Sequence, residues 1–394
     1  MLRKKLDNIK PLFDKNGKFE KLYPLYEALD TFLYTPDSVT NDGPHIRDAI
    51  DLKRSMIFVV IAMIPAILFG IFNVGYQQDS SRTIIENFIS GSILVLPIIA
   101  VSYTVGGLCE VLFAIIRRHE VNEGFLVTGM LIAVTMPPAI PLWMVAFATI
   151  FGVVIGKEIF GGTGYNIFNP ALVARAFIYF AYPTKISGDT VWTVDNNYLW
   201  TDMFFKGVDG VSAATPLLVA SSKQGGSALE LLSQSKYNLE NMFLGFIPGS
   251  IAETSTLACL LGAIFLLVTR IANWRIMLSV VLGMVFTSLI TNQIAIYSSN
   301  PMLYLPPHYH FVMGGFAFGL VFMATEPVTS THTNKGRYYY GFLIGFLTVI
   351  IRAINPAYPE GIMLAILFAN AFAPLIDYFV IQKNIKQRRS RVAL

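Results

Sequence analysis

Ten predominantly apolar segments follow one another along this 394-residue chain, and they constrain its fold more than any other feature. A helix crosses the hydrocarbon core of a bilayer with about 20 residues, within a range of roughly 17–25. We therefore predict an all-α, polytopic membrane protein with about ten transmembrane helices. The segments are Met56–Phe72, Phe88–Ile116, Phe125–Met136, Leu142–Ile155, Ala171–Tyr182, Thr256–Ile271, Ile276–Ile296, Phe311–Ala324, Tyr338–Ile351 and Ile362–Ile381.

The composition agrees with a bilayer environment. Charged residues make up 14% of the chain, whereas soluble domains carry roughly 25%. The net charge is +4, but the basic residues fall at the ends of apolar segments, so we exclude a nucleic-acid partner. Cys109 and Cys259 lie inside apolar segments without a CxxC neighbour, which argues against a disulfide framework, a zinc site or an iron–sulfur site. The charged N-terminal segment contains no apolar signal-peptide region.

Three apolar segments are too short to span a bilayer. They are Phe125–Met136, Ala171–Tyr182 and Phe311–Ala324. We predict that these helices begin or break inside the membrane, where irregular backbone is tolerated if protein covers it.

The distribution of Lys and Arg predicts the orientation, because cytoplasmic connections carry an excess of both. Basic residues occur on alternate connections and at both ends of the chain, whereas Pro183–Asn241 has four basic and six acidic residues. We expect both termini in the cytoplasm and Pro183–Asn241 outside. The basic groups are Lys53/Arg54, Arg117/Arg118, Lys157, Arg270/Arg275, Lys335/Arg337 and Lys383–Arg391.

The two halves of the chain share an ordered set of short motifs. The first half contains Gly124-Phe125, Pro137-Pro138, Gly152-x-x-x-Gly156 and Asn169-Pro170-Ala171; the second contains Gly315-Phe316, Glu326-Pro327, Gly341-x-x-x-Gly345 and Asn355-Pro356-Ala357. Five helices per half is an odd number, so we predict two inverted five-helix repeats with a site between them, as in many transporters. The predicted units are an N-terminal segment (1–50), a first repeat (51–182), an extracytoplasmic loop (183–245), a second repeat (246–382) and a basic tail (383–394).

The N-terminal segment has its own pattern. Phe19, Leu22, Tyr26, Leu29 and Leu33 recur at helical spacing between charged residues. This indicates a short amphipathic helix, which either lies on the cytoplasmic membrane surface or contacts a partner protein of the same complex.

The run Asp209-Gly210-Val211-Ser212-Ala213-Ala214-Thr215 lies in the predicted outside loop. Small residues before Thr215 would leave its hydroxyl accessible to a modifying enzyme. The alternative is a turn, because Asp, Gly and Ser are common turn residues.

Two asparagines, Asn166 and Asn169, come just before Pro170 and a short apolar helix. Asn is a good helix N-cap and Pro is favoured at the first helical position, so capping alone explains them. The alternative is that their amides hydrogen-bond a bound ligand. Arg175 lies six residues further on in the same apolar segment and suits a ligand or a carboxylate partner.

A pair of glycines, Gly106 and Gly107, interrupts an apolar helix one turn before Glu110. Close helix packing through small residues explains at least one of them. Glu110 indicates function, because ionisable groups in membrane helices are rare and costly. Further carboxylates belong to Glu123, Glu158, Glu253, Glu326, Glu360 and Asp377. They either supply the oxygen ligands that hard cations such as Na⁺ prefer or lie exposed at the membrane interface. We interpret His308-Tyr309-His310 as a turn or a contact with another protein of the complex rather than a metal site.

Several motifs together resemble one family. The chain is similar to the B subunits of bacterial Na⁺-translocating NADH:quinone reductases and to the related D subunits of Rnf complexes. The long N-terminal segment favours the B type. Besides 209–215, the matching motifs are Leu25-Tyr26-Glu27-Ala28, Asp51-Leu52-Lys53-Arg54, Gly106-Gly107-Leu108-Cys109-Glu110, Val121-Asn122-Glu123-Gly124-Phe125, Gly161-Gly162-Thr163-Gly164 and Asn355-Pro356-Ala357-Tyr358-Pro359-Glu360-Gly361.

This resemblance implies cofactors and site residues. FMN would be attached through its phosphate to Thr215, within a motif that includes Asp209 and Ser212; the family usually has Gly where Ala213 stands. Non-covalent riboflavin would lie near Asn166, Asn169 and Arg175, and quinone near Gly106, Gly107 and Glu110. Na⁺ would pass Glu110, Glu253, Glu326 and Asp377; close relatives often have Asp at position 326.

The resemblance also implies partners. The chain contains neither a GxGxxG nor a Walker A sequence, so we expect another protein of the complex, with a flavin and an iron–sulfur centre, to oxidise NADH. The other implied partners are a second protein with covalent FMN, a flavin transferase and the lipids of a bacterial inner membrane. Electrons would pass from FMN to riboflavin and then to quinone, coupled to Na⁺ export. The alternatives are the Rnf type and a flavin-free channel or carrier built on the inverted repeat.

Overall fold

The computed structural model describes residues 2–14, 17–34, 43, 52–118, 121, 124–195, 200–206, 209–222, 228–235, 237–355 and 360–392. Glu123, most of 35–50 and Pro356-Ala357 of the second repeat motif lie outside these residues. The elements, in chain order, are α1 (Leu2–Phe13), α2 (Tyr23–Leu33), α3 (Leu52–Gln78), α4 (Ile84–Arg117), α5 (Gly124–Val134), α6 (Leu142–Val154), α7 (Pro170–Ala181), β1 (Thr193–Val194), α8 (Trp200–Phe205), β2 (Gly210–Val211), α9 (Pro216–Ser221), α10 (Ala228–Gln234), α11 (Leu239–Leu244), α12 (Thr256–Val268), α13 (Trp274–Ala295), α14 (Pro307–Val312), α15 (Phe316–Phe318), α16 (Asn334–Ile354) and α17 (Ile362–Val392).

Within the described ranges, six helices are long and apolar enough to cross a bilayer: α3, α4, α6 with its following turn, α13, α16 and α17. Three shorter apolar helices, α5, α7 and α12, accompany them. The broken segment 307–323 brings the number of apolar helical segments to ten. The prediction of an all-α, polytopic membrane protein is confirmed.

The short helices have the predicted lengths, and one more short helix is present. α5 and α7 contain 11 and 12 residues, and segment 307–323 breaks between α14 and α15. The sequence predicts a full segment at Thr256–Ile271, but α12 has only 13 residues. The helix ends at Val268, before the predicted end at Ile271. Directly before the helix, a turn at 251–253 contacts the end of α5 and the residues after it: Ile251 donates to the Met136 carbonyl at 3.3 Å and Ala252 to the Val134 carbonyl at 3.0 Å. These bonds satisfy backbone groups that a helix would otherwise satisfy internally.

The glycine pairs lie where helices approach closely. A Cβ added at Gly341 of α16 would lie 2.0 Å from Ser279 Oγ of α13, and one at Gly345 would lie 2.0 Å from the Val280 carbonyl. A Cβ at Gly152 of α6 would lie 2.6 Å from the carbonyl of Pro170 in α7. Small residues therefore allow backbone contact in both halves. In addition, α4 packs on α6 as α13 packs on α16, and α6 on α7 as α16 on α17, which is the pairing that the predicted repeat requires.

The predicted outside loop is an ordered cap rather than an irregular connection. It contains α8 to α11 and the antiparallel pair β1–β2. Its apolar side chains form a second core with residues that precede and follow α14. His308-Tyr309-His310 lies inside α14, so its interpretation as a turn was wrong.

The N-terminal segment differs from the prediction. Phe19 precedes the helix, a 3₁₀ turn spans Glu20–Leu22, and the unpredicted α1 packs against α2. Tyr26 is buried in this contact and donates to the Leu6 carbonyl at 3.2 Å. Leu2, Leu6, Ile9 and Phe13 recur at helical spacing in α1, which is the sequence signal for this helix that the prediction did not use. The side chain of Leu29 lies outside the described part of the chain.

Candidate functional site

The segment around Thr215 is held in an extended conformation by its neighbours. Val211 of β2 pairs with Thr193 of β1. Ser212 Oγ donates to Asp189 Oδ2 at 2.8 Å, and the amide of Ala213 donates to the Asp189 carbonyl at 2.7 Å. The turn interpretation is therefore wrong for the residues directly before Thr215.

Thr215 itself is half-buried and caps α9. Its Oγ1 accepts a hydrogen bond from the Leu218 amide at 3.3 Å. Tyr237 donates to the adjacent Ala214 carbonyl at 2.6 Å. Burial of the Tyr237 ring raises the pKa of its hydroxyl, so the phenol stays protonated and keeps this bond at physiological pH. A hydroxyl on a fixed, partly exposed segment is open to modification.

A buried charge cluster lies beneath Thr215. Arg175 of α7 contacts Glu253 Oε1 at 2.9 Å and Glu360 Oε2 at 2.5 Å, and it also donates to the Thr135 carbonyl. We call Arg175, Glu253 and Glu360 the Arg175 cluster. Two small cavities, of about 20 and 30 Å³, are lined by Thr215 together with members of this cluster. The cluster joins α7 to the turn before α12 and to the start of α17.

Sequence reasoning missed a second buried arginine, Arg352, near the end of α16. It donates to the carbonyls of His310 at 2.6 Å, Met313 at 2.8 Å and Glu360 at 3.0 Å. These carbonyls lie where segment 307–323 breaks and where α17 begins, so Arg352 satisfies backbone that no helix satisfies. Its position one residue beyond the apolar segment Tyr338–Ile351 was the available signal.

A cavity of about 110 Å³ lies at the other end of α7, between the two halves. We call it the Asn166 cavity; its polar lining includes Lys157, Thr163, Asn166, Asn169 and Glu326, together with Ser55, Thr128 and Thr325. The rest of the lining is mostly apolar and comes from α3, α5, α12 and 322–328.

The two asparagines have the capping role that the sequence predicts, and a further position in the cavity lining. Asn169 Oδ1 accepts from the amides of Ala171 at 2.9 Å and Leu172 at 3.3 Å, which caps α7. The side chains of Asn166 and Asn169 also line the cavity together with Glu326. The structure thus brings Glu326, a residue of the expected cation path, together with the predicted ligand amides.

Arg175 is not part of this cavity. It lies six residues after Asn169, which is about 9 Å along the helix axis at 1.5 Å per residue, and it lines the space under Thr215 instead. The predicted grouping of Arg175 with the asparagines is therefore corrected: its partners are the carboxylates Glu253 and Glu360.

The two glycines of α4 differ in their surroundings. A Cβ at Gly106 would lie 2.4 Å from the Phe125 ring of α5, whereas one at Gly107 would have only Phe125 Cε1 nearby, at 3.8 Å. Gly106 is therefore a packing residue, and open space remains at Gly107. Glu110, one turn further on, is buried and forms an ion pair with Lys157. The sequence places Lys157 on a cytoplasmic connection, but its side chain is 2% exposed.

Asp377 of α17 lies apart from both regions. Its carboxylate accepts hydrogen bonds from the amides of His332 and Thr333, at 2.7 and 3.1 Å, and from Thr333 Oγ1. These contacts hold the chain at the start of α16. The largest cavity among the described residues, an open apolar groove of about 710 Å³ between α11, α13 and α14, contains none of the predicted site residues.

Fold and site together define a class: a multi-helix membrane protein whose two sets of apolar helices enclose buried carboxylates, arginines and a lysine. Comparison with known proteins gives the particular family. The chain belongs to the NQR2, RnfD, RnfE family, whose sequence profile matches residues 39–386.

The chain is also similar over its whole length to curated proteins that are all named as B subunits of the Na(+)-translocating NADH-quinone reductase. It is 50% identical to the one from Chromohalobacter salexigens, with 100% of this chain and 97% of the relative covered. It is 49% identical to the one from Ectopseudomonas mendocina, with 99% of each chain covered. The value for Stutzerimonas stutzeri is also 49%, with the same coverage. The resemblance inferred from the motifs is confirmed.

Proposed function

We propose that this chain is the flavin-carrying, quinone-reducing membrane component of a Na⁺-translocating NADH:quinone reductase in a bacterial inner membrane. The observation that carries the proposal is the 209–215 segment, which presents one threonine hydroxyl from a rigid scaffold. The similarity to the B subunits of such reductases over almost the whole chain supports it. NADH oxidation then belongs to a partner protein of the complex.

Thr215 would hold FMN as a phosphate ester. The hydroxyl is partly exposed, and its preceding residues are small, so a flavin transferase has access to it. Ser212 and Ala213 anchor the segment through Asp189 rather than covering the threonine. Arg175, beneath Thr215, supplies positive charge beside the position of the phosphate. Asp209 precedes the anchored part of the segment and is exposed.

The Asn166 cavity would hold riboflavin. Its polar lining offers amide, hydroxyl and ammonium donors together with a carboxylate acceptor, which suits the polar edge of a flavin ring. Thr163 Oγ1 is buried there without a hydrogen-bond partner among the described residues, so the lining has unused hydrogen-bonding capacity. The volume of about 110 Å³ is below the roughly 300 Å³ of common ligand pockets, so binding requires the lining side chains to move apart. When bound, the flavins supply the one-electron chemistry, and the protein supplies position and electrostatics.

Quinone would approach α4 at Gly107, where space is open, with Glu110 on the same helix. For Na⁺, we assign Glu110 and Glu326 to one side of the protein and Glu253 to the other, since these carboxylates lie at opposite ends of α7. Asp377, whose oxygens accept three hydrogen bonds from the start of α16, contributes to that helix end rather than directly to the path.

In-gel fluorescence tests the attachment site, because only a covalent flavin survives SDS. With the flavin transferase co-expressed, the wild-type band should fluoresce, and the Thr215→Ala band should be dark. Thr215→Ser keeps a hydroxyl and should retain part of the signal. Ser222→Ala, which removes another hydroxyl of the same loop, is the matched control and should fluoresce fully. Fluorescence that persists in Thr215→Ala would reject the assignment, and a dark wild-type band would favour a flavin-free carrier.

A further inference from the structure

Lys157 is a buried lysine in the lining of the Asn166 cavity, and its ion pair with Glu110 has no role in the preceding assignments. It follows α6, and its backbone carbonyl accepts hydrogen bonds from the amides of Phe160 and Gly162, each at 3.2 Å. Gly161 and Gly162 adopt φ values of +127° and +95°, which residues with a Cβ rarely reach. This tight glycine turn directs the lysine inward, and its side chain is 2% exposed.

The Lys157 ammonium lies between two carboxylates. It forms an ion pair with Glu110, whose side chain is 4% exposed. It also lines the Asn166 cavity, where its charge acts on Glu326. Arg117 and Glu158, the other charged pair on this side, contact each other at 3.1 Å. With both carboxyl groups ionised, Glu110, Glu326 and Lys157 carry one net negative charge.

The hydrogen bonding of this ammonium is incomplete. An ammonium has three N–H donors, yet no described group beyond the contact with Glu110 accepts from Lys157 Nζ. A buried charge is stable only when it is paired and its donors are satisfied. The remaining donors therefore need an acceptor in the cavity that Lys157 lines.

We propose that Lys157 is an internal cation that competes with Na⁺ for Glu110. The ammonium has two positions: in one it pairs with Glu110, and in the other it extends into the Asn166 cavity towards Glu326 and leaves Glu110 to a Na⁺ ion. The flexible four-carbon stem of lysine and its compact charge allow both positions. Ammonium and Na⁺ exclude each other at Glu110, so occupancy of the cavity by an acceptor group controls cation binding next to it.

This inference rests on the proposed Na⁺ role of Glu110 and makes ordered predictions. Lys157→Met removes the cation that competes for Glu110, so Na⁺ should bind at least fivefold more tightly. Lys157→Arg keeps the charge but holds a carboxylate with a rigid bidentate fork, so Na⁺ should bind at least threefold more weakly. The double variant Glu110→Gln/Lys157→Met lacks both charges, so the tighter Na⁺ binding expected for Lys157→Met should disappear in it.

Equilibrium Na⁺ binding to the purified complex measures these effects without turnover. ²³Na NMR line broadening is recorded against NaCl, with choline chloride holding the ionic strength constant, and extractable riboflavin is measured in the same samples. The proposal is supported if Lys157→Met binds Na⁺ more tightly than wild type and Lys157→Arg binds it more weakly. Unchanged Na⁺ affinity in both variants overturns it. If Lys157→Met does not assemble, the Arg variant decides, because affinity equal to or above wild type contradicts competition. If the Lys157 variants keep the riboflavin content and quinone reduction of wild type and also keep its Na⁺ affinity, this inference alone is rejected. If the purified wild-type complex contains no flavin, the proposed function is rejected.

Discussion

Replacing Arg175 with methionine removes a cation that Glu253 and Glu360 share, and the structure predicts a large local effect. The side chains of Arg175 and Glu253 are 3% and 4% exposed. Breaking a buried ion pair by removing one partner costs about 3–5 kcal/mol, because a charge stays buried without compensation. At about 1.36 kcal/mol per factor of ten, the local opening equilibrium around this cluster should rise by roughly 150- to 5,000-fold.

Cys259 reports this opening. It is fully buried in α12, and its Sγ lies 3.9 Å from the carbonyl of Ala252, the residue next to Glu253 in the turn before this helix. Alkylation of Cys259 by N-ethylmaleimide in native membranes, quantified by peptide mass spectrometry, should be faster in Arg175→Met by that factor. Cys109 of α4 is half-buried and lies outside the cluster, so its rate in the same sample is the internal control and should not change.

A compensating variant separates charge from packing. In Arg175→Met/Glu253→Gln/Glu360→Gln the uncompensated charges are gone, and replacing a complete buried ion pair is often close to neutral. Protection of Cys259 should therefore return most of the way to wild type. A single Arg175→Met variant whose Cys259 rate stays within twofold of wild type would refute the argument. So would a triple variant that is as reactive as the single one.

Two further predictions concern the quinone helix and the orientation. In Gly106→Leu the new side chain collides with the ring of Phe125, so the complex should not assemble and every activity should be lost. Gly107→Leu should assemble but raise the apparent KM for quinone. Normal quinone kinetics in an assembled Gly107→Leu complex would show that the quinone site is not on this helix. A cysteine at Ser222 should react with a membrane-impermeant thiol reagent in cells with a permeabilised outer membrane, and one added after Arg391 should not; the reverse pattern would reject the orientation.

Local patterns predicted much of this molecule. The number of apolar segments, the shortness of α5 and α7, and the cap of Asn169 on α7 follow from residues close together in the chain. The Thr215 segment was also recognisable, because it is a contiguous motif whose chemistry depends on one hydroxyl. Hydropathy and capping act within a few residues, so they are readable without knowledge of the fold.

The long-range contacts were not predictable in the same way. Arg175 meets carboxylates that lie 78 and 185 residues later in the chain, and nothing near it in the sequence distinguishes these partners from a flavin. Lys157 looked like a cytoplasmic loop charge, because the rule for Lys and Arg counts residues near helix ends and ignores whether they turn inward.

The sequence by itself determined that the chain is an all-α membrane protein with many apolar segments, since this property depends on composition and period. Tertiary structure alone decided which charges meet: Arg175 with Glu253 and Glu360, and Lys157 with Glu110. The physical reason is that a buried charge is tolerated only beside a partner. That partner can come from any helix that the fold brings within a few ångströms, and sequence separation carries no information about it.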